Sequence, residues 1–235
     1  MKRKMIYEGL VYDRELKKEE LCKEHKLVLE LVGKSKDILE VGCHTGYFTE
    51  LLQNNGCEVV GVEVDPRAAS KAEQFAKKII IGDIEDEDVL AQINQKFDVI
   101  LFIHVLEHLV NPWKTLKETR QFLKSNGYVL IATPNVACWT VRKDLFFKGK
   151  FEYTDVGILD KTHLRFFTLA TGQDLIQDSG YEIENWYITW ATVPFAGKLG
   201  KVPLLQKLVP YWSSLLTTHF PNLCGAVFLF KAKAH

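Results

Sequence analysis

The stretch DILEVGCHTGYF, residues 37–48, decides the fold of this chain. A short apolar run contains the acidic Glu40, glycines follow at positions 42 and 46, and an amphipathic segment then begins. This order predicts a buried strand, a tight glycine turn and the start of a helix. Free N–H groups point outward at such a helix start, so the junction can hold a ligand against bare backbone.

A second strand narrows the class of ligand. Residues 59–63, VVGVE, form an apolar run that ends with Glu63. In a strand–helix–strand unit, a carboxylate at this place reaches the hydroxyls of a ribose. The sequence therefore predicts a cofactor that contains a nucleoside. A dinucleotide site is the less favoured alternative, because its G-x-G-x-x-G pattern would need glycine where His44 and Tyr47 stand.

Four motifs occur in an order and at spacings that resemble the class I S-adenosylmethionine (SAM)-dependent methyltransferases. The E-x-G-x-x-x-G pattern of residues 40–46 resembles the first motif of that family. Residues 79–84 resemble the third strand of that family with its terminal acid. Residues 97–109 resemble the fourth strand with its E-H-L continuation, and residues 127–135 resemble the fifth strand with its T-P-N turn. Strands alternate with helices throughout, which predicts a doubly wound, mostly parallel α/β sheet. The resemblance implies a Rossmann-like sheet of seven strands with an antiparallel last strand.

The resemblance also implies S-adenosyl-L-methionine as the cofactor and places its contacts at strand ends. Glu63 is expected to bind both ribose hydroxyls, Val64 to pack on the adenine, Asp83 to accept from the adenine amine, and Ile103 or His104 to close the methionine side. The alternative for Asp83 is a helix cap or turn residue. Cys43 is interpreted as a small buried side chain rather than a nucleophile. The full set of implied cofactor-binding residues is Glu40, Gly42, Cys43, His44, Gly46, Glu63, Val64, Asp83, Ile84, Ile103 and His104.

Methyl transfer to a hydroxyl needs a base, and histidine is suited to that work near neutral pH. His108 is one candidate; its alternative is a histidine that anchors the strand-to-helix turn by hydrogen bonds. His104 and His108 are four positions apart, a spacing that can bind a metal. No third ligand is evident in the sequence, so no metal site is predicted.

A second candidate base is His163, which is slightly preferred. It lies in DKTHLRFFT, residues 160–168, which resembles a signature of methyltransferases near the ubiquinone-type and polysaccharide-associated members. A loop that carries histidine and arginine before a helix could place both over the acceptor. The alternative is a structural latch in which Thr168 caps the next helix and Asp160 pairs with Arg165.

Composition limits the partners and the compartment. Lys plus Arg equals Asp plus Glu, 30 each, so the chain lacks the basic excess typical of nucleic-acid binding. The five cysteines are scattered and show no C-x-x-C spacing, which indicates a reducing compartment rather than a disulfide framework or a zinc site. No apolar run approaches the length of a membrane span. These features predict a cytoplasmic protein.

The chain is expected to form a single domain over residues 1–235. Its parts are an N-terminal helical segment, a cofactor-binding core and a substrate-side half, at 1–36, 37–135 and 136–235. The helix that starts at Asn111 is predicted to end near Gly127 and to precede a strand at 128–132, and residues 136–163 are interpreted as a long loop. An insert at 191–220 is rich in leucine and aromatic residues. It is expected to form a substrate lid or a homodimer face, with a peripheral membrane contact as the alternative.

The function expected from these features is transfer of a methyl group from SAM to a small-molecule acceptor, a hydroxyl of a sugar or of a lipid-linked intermediate. Two alternatives stay open. One is an NAD(P)-dependent oxidoreductase, and the other is a non-catalytic module that binds SAM.

Overall fold

A computed structural model describes residues 22–196 and 206–235. Its seven strands are β1 (Asp37–Val41), β2 (Glu58–Glu63), β3 (Lys78–Ile81), β4 (Phe97–Ile103), β5 (Leu123–Pro134), β6 (Tyr181–Ala191) and β7 (Gly225–Ala234). The helices are α1 (Lys23–Val32), α2 (Tyr47–Asn54), α3 (Pro66–Ala72), α4 (Glu87–Leu90), α5 (Pro112–Thr119), α6 (Trp139–Lys148), α7 (Leu169–Asp178), α8 (Val209–His219) and α9 (Pro221–Cys224). Short 3₁₀ turns occupy Leu106–His108 and Arg120–Phe122.

The strands form one sheet in the order β3-β2-β1-β4-β5-β7-β6. β1 pairs in parallel with β2 and with β4, and β2 pairs in parallel with β3. β6 and β7 are antiparallel. The predicted α/β fold, a seven-stranded and mostly parallel sheet with an antiparallel last strand, is confirmed.

The chain divides into two compact units. The first runs to Phe102 and includes Lys117–Val129, and the second comprises Ile103–Leu116 and Leu130–His235. The boundary in the sequence falls within β4 and within β5.

In the first unit, the apolar strands explain the core. Ile38 and Leu39 of β1 are fully buried, as is Leu52 on the inner face of α2. The start of α3 follows from local sequence, because Pro66 occupies its first turn and the Asp65 side chain accepts a hydrogen bond from the Arg67 N–H at 2.9 Å.

In the second unit, β7 supplies the buried Phe228 and Phe230, and Tyr181 of β6 is also buried. The Tyr181 hydroxyl donates to the Leu116 carbonyl at 3.0 Å, so this buried polar group is satisfied. Thr168 caps α7 through reciprocal hydrogen bonds with Thr171, which confirms the helix start expected there.

Two expectations about secondary structure are wrong. α5 ends at Thr119 and β5 begins at Leu123, so Gly127 lies inside a strand and does not end a helix. A Cβ at Gly127 would come within 2.9 Å of the Phe97 carbonyl oxygen, so glycine is needed there for close backbone approach. Residues 136–163 are also not one long loop, since they contain α6.

The insert at 191–220 is described only in part. Residues 197–205 lie outside the described residues, and the remainder contains α8, whose Tyr211 is 80% exposed. The predicted lid, dimer or membrane contact of this insert stays a prediction. Within the part of the chain that the structure describes, no helix is long and apolar enough to cross a membrane.

Candidate cofactor site and histidine cluster

The turn between β1 and α2 lies in the first unit and is built from left-handed backbone. Gly42, His44 and Gly46 have φ angles of 73°, 49° and 83°. Glycine adopts such angles without a Cβ penalty, whereas His44 is an uncommon non-glycine case. The N–H groups of Gly42 and Cys43 donate to the Val62 carbonyl at 2.8 and 3.3 Å, which fixes the turn against β2.

Gly46 has a packing role that the sequence did not reveal. A Cβ at this position would lie 2.7 Å from the Ala72 Cα of α3. Such a contact is shorter than van der Waals packing allows, so only glycine lets α2 begin this close to α3. The expected cofactor contact of Gly46 stays a prediction beside this structural role.

Glu63 holds the turn and the end of β2 together. One of its carboxylate oxygens accepts from the His44 N–H at 2.8 Å, and the other accepts from the Asp65 N–H at 2.9 Å. Glu63 as a whole is only 7% exposed. A carboxylate oxygen can accept more than one hydrogen bond, so both oxygens retain capacity for ribose hydroxyls. This geometry fits the predicted role.

Glu40 is a buried acid beside this turn. Its Oε2 accepts a hydrogen bond from the Thr49 hydroxyl of α2 at 2.7 Å. Burial raises the pKa of Glu40 to about 7; the Thr49 hydrogen bond opposes the shift and the nearby Glu63 charge adds to it. The side chain therefore titrates near neutral pH and ties β1 to α2.

The other predicted cofactor residues of this unit lie around the same strand ends. Cys43 is 2% exposed and burial raises the pKa of its thiol, which agrees with a small buried side chain rather than a nucleophile, and its cofactor contact stays a prediction. Val64 is 41% exposed, an open apolar surface directly after β2, while Ile84 is buried. Asp83 accepts from the Glu85 N–H at 2.9 Å, so its alternative turn role is present, and its adenine contact stays a prediction.

Ile103 is the last residue of β4, His104 follows it, and both belong to the second unit. His104 has a φ of 56°, and its N–H donates to the Ala132 carbonyl at 3.0 Å. Its Nδ1 lies 3.4 Å from Oε1 of Glu107. The predicted contact of His104 with the cofactor is not tested by these distances.

A backbone clasp in the second unit joins two distant segments. The Glu107 carbonyl accepts from the N–H groups of Leu164 and Arg165 at 2.8 and 3.0 Å. The Arg165 guanidinium donates to the Val110 carbonyl. The latch expected for residues 160–168 is therefore present, although Arg165 does not pair with Asp160. Asp160 accepts instead from the N–H and hydroxyl of Thr162, at 2.8 and 2.7 Å.

This clasp brings the two candidate bases together. The rings of His108 and His163 meet edge to face with centroids 4.8 Å apart. Nδ1 of His163 lies 3.1 Å from the Ile158 carbonyl oxygen, and Nδ1 of His108 lies 3.3 Å from the Thr162 carbonyl oxygen. A carbonyl can only accept, so in each ring the Nδ1 hydrogen is directed to the backbone and the Nε2 lone pair is left for other chemistry.

Burial lowers the pKa of His163, and the neighbouring His108 acts in the same direction. The Glu107 charge and the hydrogen bond to the Ile158 carbonyl oppose the shift. His163 is therefore biased toward the neutral imidazole, the form that can accept a proton.

Glu107 is the residue of this cluster that sequence reasoning missed. Its side chain is 1% exposed, and among the described residues neither of its carboxylate oxygens has a hydrogen-bond partner. The three residues Glu107, His108 and His163 each offer a ligand atom, and these atoms lie within 4.8 Å of one another. Glu107 was visible in the sequence as part of E-H-L, but its neighbour His163 comes from a distant segment.

An aromatic surface adjoins His163. The Phe166 ring lies 6.2 Å from the His163 ring and 5.6 and 6.2 Å from the rings of Phe151 and Tyr153, between centroids. Phe151 and Tyr153 are 38% and 59% exposed. The cluster thus offers accessible ring faces near the candidate base.

Comparison with known proteins agrees with this fold and with the motifs. Residues 12–185 match the methyltransferase domain family, so the chain belongs to that family. A ubiquinone biosynthesis O-methyltransferase from Coxiella burnetii is 29% identical over 109 residues, 45% of this chain and 47% of the relative. One from Ruegeria sp. is 35% identical over 102 residues, 42% of this chain and 41% of the relative. The chain thus aligns with less than half the length of these curated relatives.

Solved structures show the same fold. A SAM-dependent methyltransferase from Archaeoglobus fulgidus aligns with a TM-score of 0.60 and 17% identity, over 89% of this chain and 91% of that one. A TehB-like SAM-dependent methyltransferase from Corynebacterium glutamicum aligns with a TM-score of 0.56 and 15% identity, over 92% and 89%. The predicted class I family is confirmed, and SAM is the cofactor that this family implies. The carboxylate of Glu63 and the open face of Val64 are groups that fit its ribose and adenine.

Proposed function

We propose that this chain transfers the methyl group of SAM to a hydroxyl of a small-molecule acceptor. The observation that carries the proposal is the paired imidazoles of His108 and His163, whose Nδ1 atoms face backbone carbonyls. A hydroxyl acceptor needs a base that takes up its proton, and an available Nε2 lone pair can act as that base. The curated relatives are named O-methyltransferases, which supports oxygen as the acceptor atom.

The surface beside His163 supports the proposed acceptor class. The exposed faces of Phe151 and Tyr153 can stack on the apolar face of a sugar or on a flat apolar ring. A hydroxyl of a sugar or of a lipid-linked intermediate fits such a surface. The neutral overall charge gives no support to a nucleic-acid substrate.

In this mechanism the chain supplies position and proton transfer, while SAM supplies a methyl group activated on a sulfonium. Glu63 would hold the ribose hydroxyls, and the hydrogen bond between Glu40 and Thr49 ties the strand before the turn to the helix after it. Bound SAM would supply the methyl group and leave as S-adenosylhomocysteine, and Nε2 of His163 would take up the proton of the acceptor hydroxyl. Alignment of the two reactants can account for about 7–11 kcal/mol of the barrier.

The test is methyl transfer from labelled SAM to a panel of hydroxylated acceptors. His163→Ala is expected to lower turnover by about 10²–10⁴-fold, the usual range for loss of a general base, while S-adenosylhomocysteine affinity stays unchanged. His219→Ala is the matched control, because His219 is an exposed histidine of α8. The proposal is wrong if His163→Ala and His108→Ala both keep full turnover. A wild-type chain that binds SAM but methylates no acceptor favours the non-catalytic module.

A further inference from the structure

The donor set at the clasp is that of a metal site. A carboxylate oxygen of Glu107 and a ring nitrogen from each of His108 and His163 lie within 4.8 Å of one another. Two imidazoles and one carboxylate bind Zn²⁺ and neighbouring divalent transition metals while leaving coordination positions open. We propose that Glu107, His108 and His163 form a binding site for a divalent transition-metal cation such as Zn²⁺.

The state of Glu107 points independently to a cation. Its side chain is 1% exposed, and neither oxygen accepts a hydrogen bond from any residue in the described ranges 22–196 and 206–235. A buried carboxylate without hydrogen bonds is costly unless a positive charge compensates it. A cation between Glu107 and the two imidazoles supplies that charge. The competing partner is Nδ1 of His104, which lies 3.4 Å from Oε1.

The outer contacts of both rings are those of metal-ligating histidines. Such histidines donate their second ring N–H to a carbonyl or carboxylate, which fixes the tautomer and the ring orientation. Here Nδ1 of His163 faces the Ile158 carbonyl at 3.1 Å. Nδ1 of His108 faces both the carbonyl and the hydroxyl of Thr162, at 3.3 and 3.2 Å. In both rings Nε2 is therefore the atom available to a cation.

The site also has a rigid support. Thr162 is held by the Asp160 carboxylate, and the backbone of Glu107 accepts two N–H groups from the segment that carries His163. The three ligands are thus fixed relative to one another without the cation, a condition for selective binding. The sequence predicted no metal because only the His104 and His108 pair was visible, and the ligand that completes the set comes from a distant segment.

The role of the cation rests on the proposed function, whereas its binding does not. Three protein ligands leave positions that an acceptor hydroxyl can occupy. Coordination lowers the pKa of a bound hydroxyl, as it does for zinc-bound water. A cation would occupy the Nε2 lone pairs of His108 and His163, so the base role proposed for His163 would apply only to the cation-free chain, and water would take up the hydroxyl proton when the cation is bound.

The binding experiment uses chain that has been dialysed against a chelator. We expect ZnCl₂ titration, followed by calorimetry and elemental analysis, to give one bound ion per chain. CoCl₂ should give a visible d–d absorption band. At about 100 times Kd, Zn²⁺ should raise Tm by about 5–10 °C. Glu107→Gln and His163→Ala should each weaken Zn²⁺ binding by at least about 100-fold, while His219→Ala binds as wild type.

The readouts separate binding from folding and from catalysis. The apo Tm of each variant shows whether it folds, and Glu107→Gln should keep the apo Tm of wild type because neither Glu107 oxygen accepts a hydrogen bond from the described residues. Wild-type chain that takes up no ion, or His163→Ala chain that keeps wild-type affinity, overturns the site. Chelator-treated enzyme that keeps full turnover overturns the catalytic role of the ion and leaves O-methylation intact.

Discussion

Glu40 should make the stability of the unliganded chain depend on pH. Its pKa is raised from 4.5 to about 7 by burial. Between these values the folded state binds the proton more strongly than the unfolded state, so stability falls as pH rises through this window and levels off above it. The full shift corresponds to about 3 kcal/mol, since each pKa unit is worth 1.36 kcal/mol, and most of it is lost between pH 5 and pH 8.

The perturbation is Glu40→Gln, which keeps the shape of the side chain and removes its titration. The stability of this variant relative to wild type should increase by about 2–3 kcal/mol between pH 5 and pH 8. For a chain of this size, that difference moves Tm by about 5–10 °C. Thr49→Val should steepen the wild-type slope, because the Thr49 hydroxyl donates to Glu40 at 2.7 Å and thereby stabilises the carboxylate.

The assay is urea unfolding of unliganded protein at several pH values between 5 and 8. Glu50→Gln is the control, because Glu50 lies on the same helix as Thr49 but is exposed. Its stability should stay parallel to wild type within about 0.5 kcal/mol. Parallel curves for wild type and Glu40→Gln across this range would refute the reasoning.

Two further predictions concern the turn after β1. Gly46→Ala should lower the free energy of unfolding by at least about 3 kcal/mol, because the φ of Gly46 is 83° and the new Cβ would lie 2.7 Å from the Ala72 Cα. Gly149→Ala is the control, because Gly149 has a φ of 63° and open space around it. It should lower the free energy of unfolding by only about 1 kcal/mol in the same urea titration. Glu63→Gln should weaken S-adenosylhomocysteine binding at least about 10-fold, as measured by calorimetry. The reason is that an amide offers one acceptor oxygen, whereas the present carboxylate accepts two backbone N–H groups. Unchanged affinity would contradict the assignment of Glu63 to the ribose.

Local patterns predicted most of the sheet. Apolar runs that end in acids placed β1 and β2 correctly, and Thr168 was rightly identified as the start of a helix. The fold class followed from the alternation of these runs with amphipathic segments.

The errors arose where one residue type has two structural uses. Gly127 was taken as a helix stop, but it serves a close backbone approach inside β5. α6 was missed because Phe146 and Phe147 on it are 82% and 70% exposed, so its apolar residues do not follow one helix face.

The sequence pointed to two candidate histidines but not to the contact between them. His108 and His163 were each identified, yet their contact depends on the clasp between the Glu107 carbonyl and the backbone of Leu164 and Arg165. No local period encodes such a long-range contact. The burial of Glu107 without a hydrogen-bond partner, measured among the described residues, is likewise a property of the folded chain alone.

The most direct measurement of the central claim is calorimetric titration of the purified chain with S-adenosylhomocysteine, with NAD as the control ligand. The account predicts saturable binding of S-adenosylhomocysteine at one site per chain and no binding of NAD. Binding of NAD alone would contradict it, and binding of neither ligand would contradict the cofactor site built around Glu63.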